Sequence, residues 1–248
     1  GRNGEAPIPI VAAKSPSDCF HQAIEAGRLA LKYMTPVFLL TDGYLGNGSE
    51  AFRIPNVDEL PDLTKKFRTD PENYLPYKRD EKTLAREWVK PGTPGLAHRI
   101  GSLEKDAETG CVSHDPDNHN LMVRTRQAKV DRIADDIPDL EIYGDENGGD
   151  ILLVGWGSTY GAIRNKVDKY RADGKSVSHA HFTHICPFPK NTLDVFKKFK
   201  KVVIAEMNLG QLHKIVQATF AFKAISLTKI QGKPFTEQEI ADVVDELL

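Results

Sequence analysis

The chain has 248 residues, 40% hydrophobic and 27% charged, with 33 Lys plus Arg against 35 Asp plus Glu and a formal net charge of −2. That composition belongs to one large or two small globular domains and excludes disorder and collagen, while the near balance of charge excludes nucleic acid as the expected partner. No apolar run approaches the roughly 18 residues of a membrane-spanning helix, the first residues carry no secretion pattern, and Cys19, Cys111 and Cys186 are scattered, so a reducing, cytoplasmic setting away from membranes is expected.

Ile10 to Ala13 is the proline-free part of a short apolar run and reads as a buried parallel strand. Ser15 is placed to cap a helix, with Pro16 at its first position and Asp18 in its first turn. Phe20, Ala23, Ile24, Gly27, Leu31 and Met34 recur at three- and four-residue steps, so a helix over 18–34 packs one face on a sheet. Pro36 to Thr41 is the next strand and closes a βαβ unit. Asp42 to Glu50 is then a loop at the carboxyl end of a strand, where open α/β sheets bind ligands. From Ile54 to about Asn118 the chain is rich in Pro, Asp, Lys and Gly and has little periodicity, which marks a functional loop or an interdomain connection. Tyr74, Tyr77, Trp88, Leu96 and Ile100 argue against disorder there. A helix over 119–137 carries Leu121, Met122, Val130, Ile133 and Ala134 on one side, and its basic residues Arg124, Arg126, Lys129 and Arg132 are expected in solvent. Strands over 150–155, 176–182, 201–205 and 224–230 then alternate with helices over 160–171, 193–199, 211–222 and 236–247. This is a complete α/β domain with a mainly parallel sheet of four or five strands.

Several segments have the form of sites. Gly155-Trp-Gly157-Ser158-Thr-Tyr-Gly161 follows a strand and opens a helix, so its amides could hold an anion. Its spacing is GxGxxxG, and the acid that would hold a ribose at the end of the next strand is replaced by Phe182, Thr183 and His184, so tight strand-to-helix packing is the plainer explanation. His179, His181, His184 and Cys186 are of metal-ligand type, but no second ligand group accompanies them, and packed histidines are expected instead. Asp18-Cys19 suggests a thiol at a helix start, and the apolar neighbours point to an inert cysteine. Ser158 lies outside a GxSxG elbow, so no nucleophile triad is supported. In Glu206-Met-Asn208-Leu-Gly210-Gln211, Asn208 and Gln211 either donate amides to a ligand or subunit, or Asn208 caps a helix while Gly210 relieves the turn.

Taken together, Val11 to Phe20, Thr35 to Leu45 with Gly48 to Glu50, Gly92 to Gly95, Gly101 to Asp106, His119 to Lys129, Gly155 to Gly161 and Glu206 to Gln211 resemble the α subunit of the 2-oxoacid:acceptor oxidoreductases, most closely 2-oxoglutarate:ferredoxin oxidoreductase. The resemblance implies a partial thiamine-pyrimidine domain, a strand-helix-strand over 1–55, then a connecting region over 56–148 and a transketolase-C-terminal-like, mainly parallel α/β domain over 149–248. It also implies oxidative decarboxylation of 2-oxoglutarate to succinyl-CoA, with coenzyme A as co-substrate and ferredoxin as electron acceptor. Thiamine diphosphate, magnesium and an iron-sulfur cluster would be held by a β subunit. The family's earlier substrate loop and activating glutamate have no counterpart here, so the chain looks like a C-terminal fragment that scaffolds and contacts the β subunit. On this resemblance no catalytic residue, metal ligand or cofactor is expected within the chain alone. Asp42, Tyr44, Glu50, Glu104 and Asp106 are expected near the substrate mouth, and Gly155, Gly157, Ser158, Asn208 and Gln211 as ligand or subunit contacts. Lys105 stands where the family more often has His. Strands deprived of family neighbours would self-associate, so a homo-oligomer is expected. The alternative is a stand-alone α/β module binding a nucleotide or coenzyme at Gly155 to Gly161.

Overall fold

The computed structural model describes residues 5–248. In chain order the strands and helices are β1 (Ile10–Ala12), α1 (Asp18–Tyr33), β2 (Phe38–Leu40), α2 (Gly43–Asn47), α3 (Pro116–Asp131), β3 (Ile142–Tyr143), β4 (Gly149–Trp156), α4 (Tyr160–Ala172), β5 (Val177–Phe182), β6 (His184–Cys186), α5 (Thr192–Lys197), β7 (Phe199–Glu206), α6 (Gln211–Phe220), β8 (Ile225–Thr228) and α7 (Glu237–Leu247). Chain contacts divide them into two compact units. One contains residues 10–23, 39–53 and 137–248, and the other 24–38, 54–136 and the described residues before Ile10.

The larger unit is built on a five-stranded sheet in the order β3-β5-β4-β7-β8. Its four central and outer strands are parallel, and β3 is an antiparallel edge on β5. The apolar runs of β4 and β7 are continuous because both faces are covered. Ile151, Leu153, Val203 and Ala205 meet Ile163, Val167, Ile240 and Val244 of α4 and α7 on one face. Leu152, Val154, Val202 and Ile204 meet Val195, Phe196, Leu212 and Val216 of α5 and α6 on the other. Alternation of side chains along a strand divides each run between the two layers. The α7 helix starts in a capping box between Thr236 and Glu239.

A second sheet of the same unit has the order β2-β1-β6. The Phe38 N–H donates to Pro9 O and the Ala13 N–H to Leu40 O, so β1 and β2 run in the same direction. Against β6, however, β1 is antiparallel, with Val11 opposite His184. The purely parallel strand expected at Ile10 to Ala13 is corrected accordingly. After Phe182 the chain bends at Thr183, whose carbonyl accepts the Ala12 N–H at 2.8 Å. The continuation of β5 thereby leaves its own sheet and covers the free edge of β1. Val11, Ala12 and Ala13 are buried as a result, contrary to the exposed edge expected for this strand. β2 is the outer strand, and its Phe38 is 54% exposed.

Apart from α3 and the part of α1 over 24–33, the smaller unit has little regular structure, as the proline and glycine content of residues 54–114 dictates. Two tight hairpin turns use the same chemistry. In each, an Asp carboxylate (Asp80, Asp106) accepts the backbone N–H and hydroxyl of the Thr three residues later. The residue after that Thr, Leu84 or Gly110, takes a positive φ. The residues flanking each turn form a one-pair bridge, Arg79 with Arg86 and Lys105 with Val112. Asp-x-x-Thr followed by a left-handed residue is a turn signal legible in the sequence. The helix expected from His119 begins earlier, at Pro116, because Asp115 caps it by accepting the Asp117 N–H. Its basic residues are not all solvated: Arg124 and Arg132 are exposed, whereas Arg126 and Lys129 are half-buried, and Lys129 Nζ donates to Met34 O at 3.1 Å.

Candidate functional site

A cleft of about 970 Å³ opens in the larger unit at the carboxyl ends of β4 and β7. Ligand pockets of α/β sheets belong at this end of the strands. One wall is the segment after β2. Sequence alone makes it a loop, but Asp42 turns it into a one-turn helix, α2, by accepting the Leu45 N–H at 3.0 Å. The other oxygen of Asp42 accepts a short hydrogen bond from the Ser158 hydroxyl, so the segment is tied to the turn after β4. At its far end Glu50 accepts the Ser15 hydroxyl at 2.5 Å, the Ser17 N–H at 2.5 Å and the Ser17 hydroxyl. These hydroxyl and amide donors hold its carboxyl below the usual carboxylate range. Tyr44 lies between the two anchors and is 59% exposed.

The second wall is the turn from β4 into α4. A Cβ on Gly155 would lie 2.5 Å from Ile163 Cδ1 and 2.5 Å from Thr159 Oγ1. The glycine therefore serves close strand-to-helix packing, the plainer of the two readings. Gly157 adopts φ +62°, and Thr159 accepts the Trp156 N–H at 3.1 Å to close the turn. The third wall follows β7. Glu206 is fully buried and accepts the Leu212 N–H at 2.7 Å and the His213 N–H at 2.9 Å, with the Trp156 indole N–H at 3.4 Å. Its negative charge sits at the positive end of α6. Asn208 accepts the Gln211 N–H at 2.8 Å and Gly210 has φ +74°, which is the capping arrangement.

Asp42, Tyr44, Glu50, Gly157, Ser158, Asn208 and Gln211 thus line one cleft. Glu104 and Asp106 belong to the other unit. There Glu104 accepts from His119 at 2.8 Å and Arg126 at 3.1 Å, and Asp106 is occupied by its own turn. Sequence reasoning did not find Trp156 and Glu206 as parts of the site, nor the Ser15 and Ser17 donors to Glu50. A glutamate at a strand end followed six residues later by a helix start is the signal that could have found Glu206.

His179 and His181 pack side by side with ring centroids 5.4 Å apart and lie against Tyr160. Burial pushes His179 down to about 3 and lowers His181 in the same direction. Among the described residues no group of three His, Cys, Asp or Glu is arranged to hold a metal ion. The Cys19 thiol is raised by burial and by the charges of Asp18 and Asp42, which removes thiolate character. The cleft is lined by two carboxylates and by no lysine or arginine. Such a lining offers no positive side chain to a diphosphate, while its apolar wall and fixed carboxylates suit a neutral or partly cationic face of a ligand. The Ser158 hydroxyl, which donates to Asp42, ties the strap to this wall of the cleft. No helix of the described residues is long and apolar enough to cross a membrane.

Residues 2–114 match the family described as pyruvate flavodoxin/ferredoxin oxidoreductase, thiamine diP-bdg, and residues 149–240 match pyruvate:ferredoxin oxidoreductase core domain II. The 2-oxoglutarate oxidoreductase subunit KorA of Mycobacterium tuberculosis is 47% identical over 97% of this chain, which covers 36% of that protein. The α subunit of 2-oxoacid:ferredoxin oxidoreductase 2 from Aeropyrum pernix is 29% identical over 99% of this chain and 39% of its own length. The solved 2-oxoglutarate:ferredoxin oxidoreductase of Magnetococcus marinus, with 2-oxoglutarate, coenzyme A and succinyl-CoA bound, superposes with a TM-score of 0.87 at 30% identity, over 97% of this chain and 42% of that one. The chain therefore spans well under half the length of these relatives. By sequence over nearly its whole length and by fold, it belongs to the α-subunit family of the 2-oxoacid:ferredoxin oxidoreductases.

Proposed function

We propose that the chain forms part of the α subunit of a thiamine diphosphate-dependent 2-oxoglutarate:ferredoxin oxidoreductase, which converts 2-oxoglutarate to succinyl-CoA. The observation that carries this reading is the match of fold along 97% of the chain, at a TM-score of 0.87, to an enzyme solved with 2-oxoglutarate and succinyl-CoA. In this reading thiamine diphosphate supplies the electron sink for decarboxylation. A β subunit holds it together with magnesium and the iron-sulfur cluster, coenzyme A takes the acyl group, and ferredoxin takes the electrons. The mismatch between a diphosphate and the cation-free cleft supports that division of labour.

The work left to this chain is positional. Asp42, Tyr44 and Glu50 form a strap at the substrate mouth, fixed at both ends by the Ser158 and Ser15/Ser17 contacts. Gly155, Gly157, Ser158, Asn208 and Gln211 shape the wall offered to the ligand or the β subunit, and Glu104 with Asp106 stiffens a second contact segment. The division into 1–55, 56–148 and 149–248 is the domain arrangement of this reading, the cytoplasm its setting, and pairing of copies through the outer strand β2 its route to a homo-oligomer. The test is ferredoxin reduction by the complete α subunit assembled with the β subunit. Reduction dependent on both 2-oxoglutarate and coenzyme A is expected. Reduction with pyruvate in its place would overturn the substrate, and none with either would overturn the assignment.

A further inference from the structure

In the smaller unit four cationic side chains from two elements converge on one another. Arg79 and Arg86 face each other across a one-pair antiparallel bridge, which puts their side chains on the same side of the hairpin. Arg126 and Lys129 are three residues apart on α3 and share its face toward them. Like charges opposed across a bridge are destabilising. Burial and then the positive charges of Arg79, Arg86 and Arg126 push Lys129 down to about 8. Burial, Arg86 and Arg126 also lower Arg79, whose buried Nε has no hydrogen-bond partner among the described residues. The carboxylate that pairs with this group is Glu104, on Arg126.

The group is not sealed. Arg86, held over the Tyr77 ring at 4.7 Å, also lines a groove of about 540 Å³ between residues 64–68 and 86–88. Lys65 and Lys66 stand on the opposite side, with the Asp62 carboxylate close enough to feel the Lys65 charge and balance one of the two. The two other charged residues of the groove, Arg68 and Glu87, neutralise each other at 2.7 Å. A surplus of positive charge therefore faces an open groove of ligand size, backed by a buried cationic layer, in a chain whose net charge is −2. Guanidinium and ammonium groups in this mixture suit phosphate, which accepts from several donors at once and carries more charge than one carboxylate.

We propose that this groove binds the phosphate groups of a small phosphorylated ligand, with Arg86 as the central contact and Lys65 and Lys66 as flanking ones. The test is calorimetric titration of the full chain with pyrophosphate, ADP, adenosine and glutarate. Saturable binding of pyrophosphate or ADP, weakened by added salt and at least tenfold tighter than that of adenosine or glutarate, is expected. Pyrophosphate alone would identify free phosphate as the source, and a gain with ADP a nucleotide. Lys65→Ala/Lys66→Ala, which alters only the groove rim, should weaken binding at least tenfold with an unchanged circular dichroism spectrum. Arg86→Lys should weaken it further by removing the planar fork. Equal binding of phosphate and carboxylate probes, no binding of either, or binding untouched by the double variant would overturn the proposal.

Discussion

Replacing Glu206 by alanine tests how the floor of the cleft is built. Its carboxylate is fully buried at the start of α6, where it accepts the Leu212 and His213 amides at 2.7 and 2.9 Å. Hydrogen bonds to a charged group contribute about 1.5–3 kcal/mol each, and the helix end adds about 0.3–1 kcal/mol. Alanine leaves two buried amides without an acceptor, so a loss of about 3–5 kcal/mol is expected, well above the ~1 kcal/mol of an average substitution. Glutamine keeps one acceptor oxygen and removes the charge, and should lose about half as much. Urea unfolding followed by tryptophan fluorescence is a suitable assay, because Trp156 lies 3.4 Å from the same carboxylate. The midpoint should fall with no change in slope. An alanine variant within about 1 kcal/mol of the parent would refute the reasoning, since the buried amides would then have found another partner.

Three further outcomes follow from the same geometry. The unfolded chain binds protons below pH 6.5 that His179, pushed down to about 3 by burial and then by Arg164 and Lys14, does not take up. Stability should therefore be full above about pH 6.5 and fall toward pH 3, with His179 contributing up to about 1.4 kcal/mol per pH unit and His181, lowered in the same direction, adding to it, so that His179→Gln reduces the slope in thermal melts without abolishing it. Gly155→Ala should destabilise by about 1–3 kcal/mol in the same melts, because its Cβ meets Ile163 and Thr159 at 2.5 Å, and a neutral result would show that the turn can open. Ser158→Ala should raise hydrogen exchange over 42–50 with little change in global stability, since Asp42 keeps its cap on Leu45, and unchanged exchange would show that the serine is not the anchor.

How much of this was legible in the sequence depended on whether a signal was local. The apolar runs at Ile151 to Val154 and Val202 to Ile204 announced strands of a mainly parallel sheet, and the helix expected over 236–247 matches α7. The two-residue β3 and three-residue β6 carry no periodicity of their own, and they form because β5 and β1 offer them unpaired edges. The antiparallel pairing of β1 was hidden for the same reason, since it depends on a bend 170 residues later. In the site, Asp42, Glu50 and Ser158 could each be singled out from strand ends and glycine spacing, but their partners could not, because Ser158 and Asp42 are joined only by the fold. The basic residues of α3 illustrate the converse. Helical spacing places Arg126 and Lys129 on a polar face, and only the fold brings Glu104 to the first and Met34 O to the second.

In the proposed assembly the strap over 42–50 and the turns over 156–159 and 207–211 form the face that meets the β subunit. Hydrogen exchange of the chain with and without the β subunit tests this most directly. Protection should appear over these three segments and leave the opposite end of the sheet, at 144–147 and 171–176, unchanged. Protection confined to that opposite end, or absent from 42–50, would contradict the account.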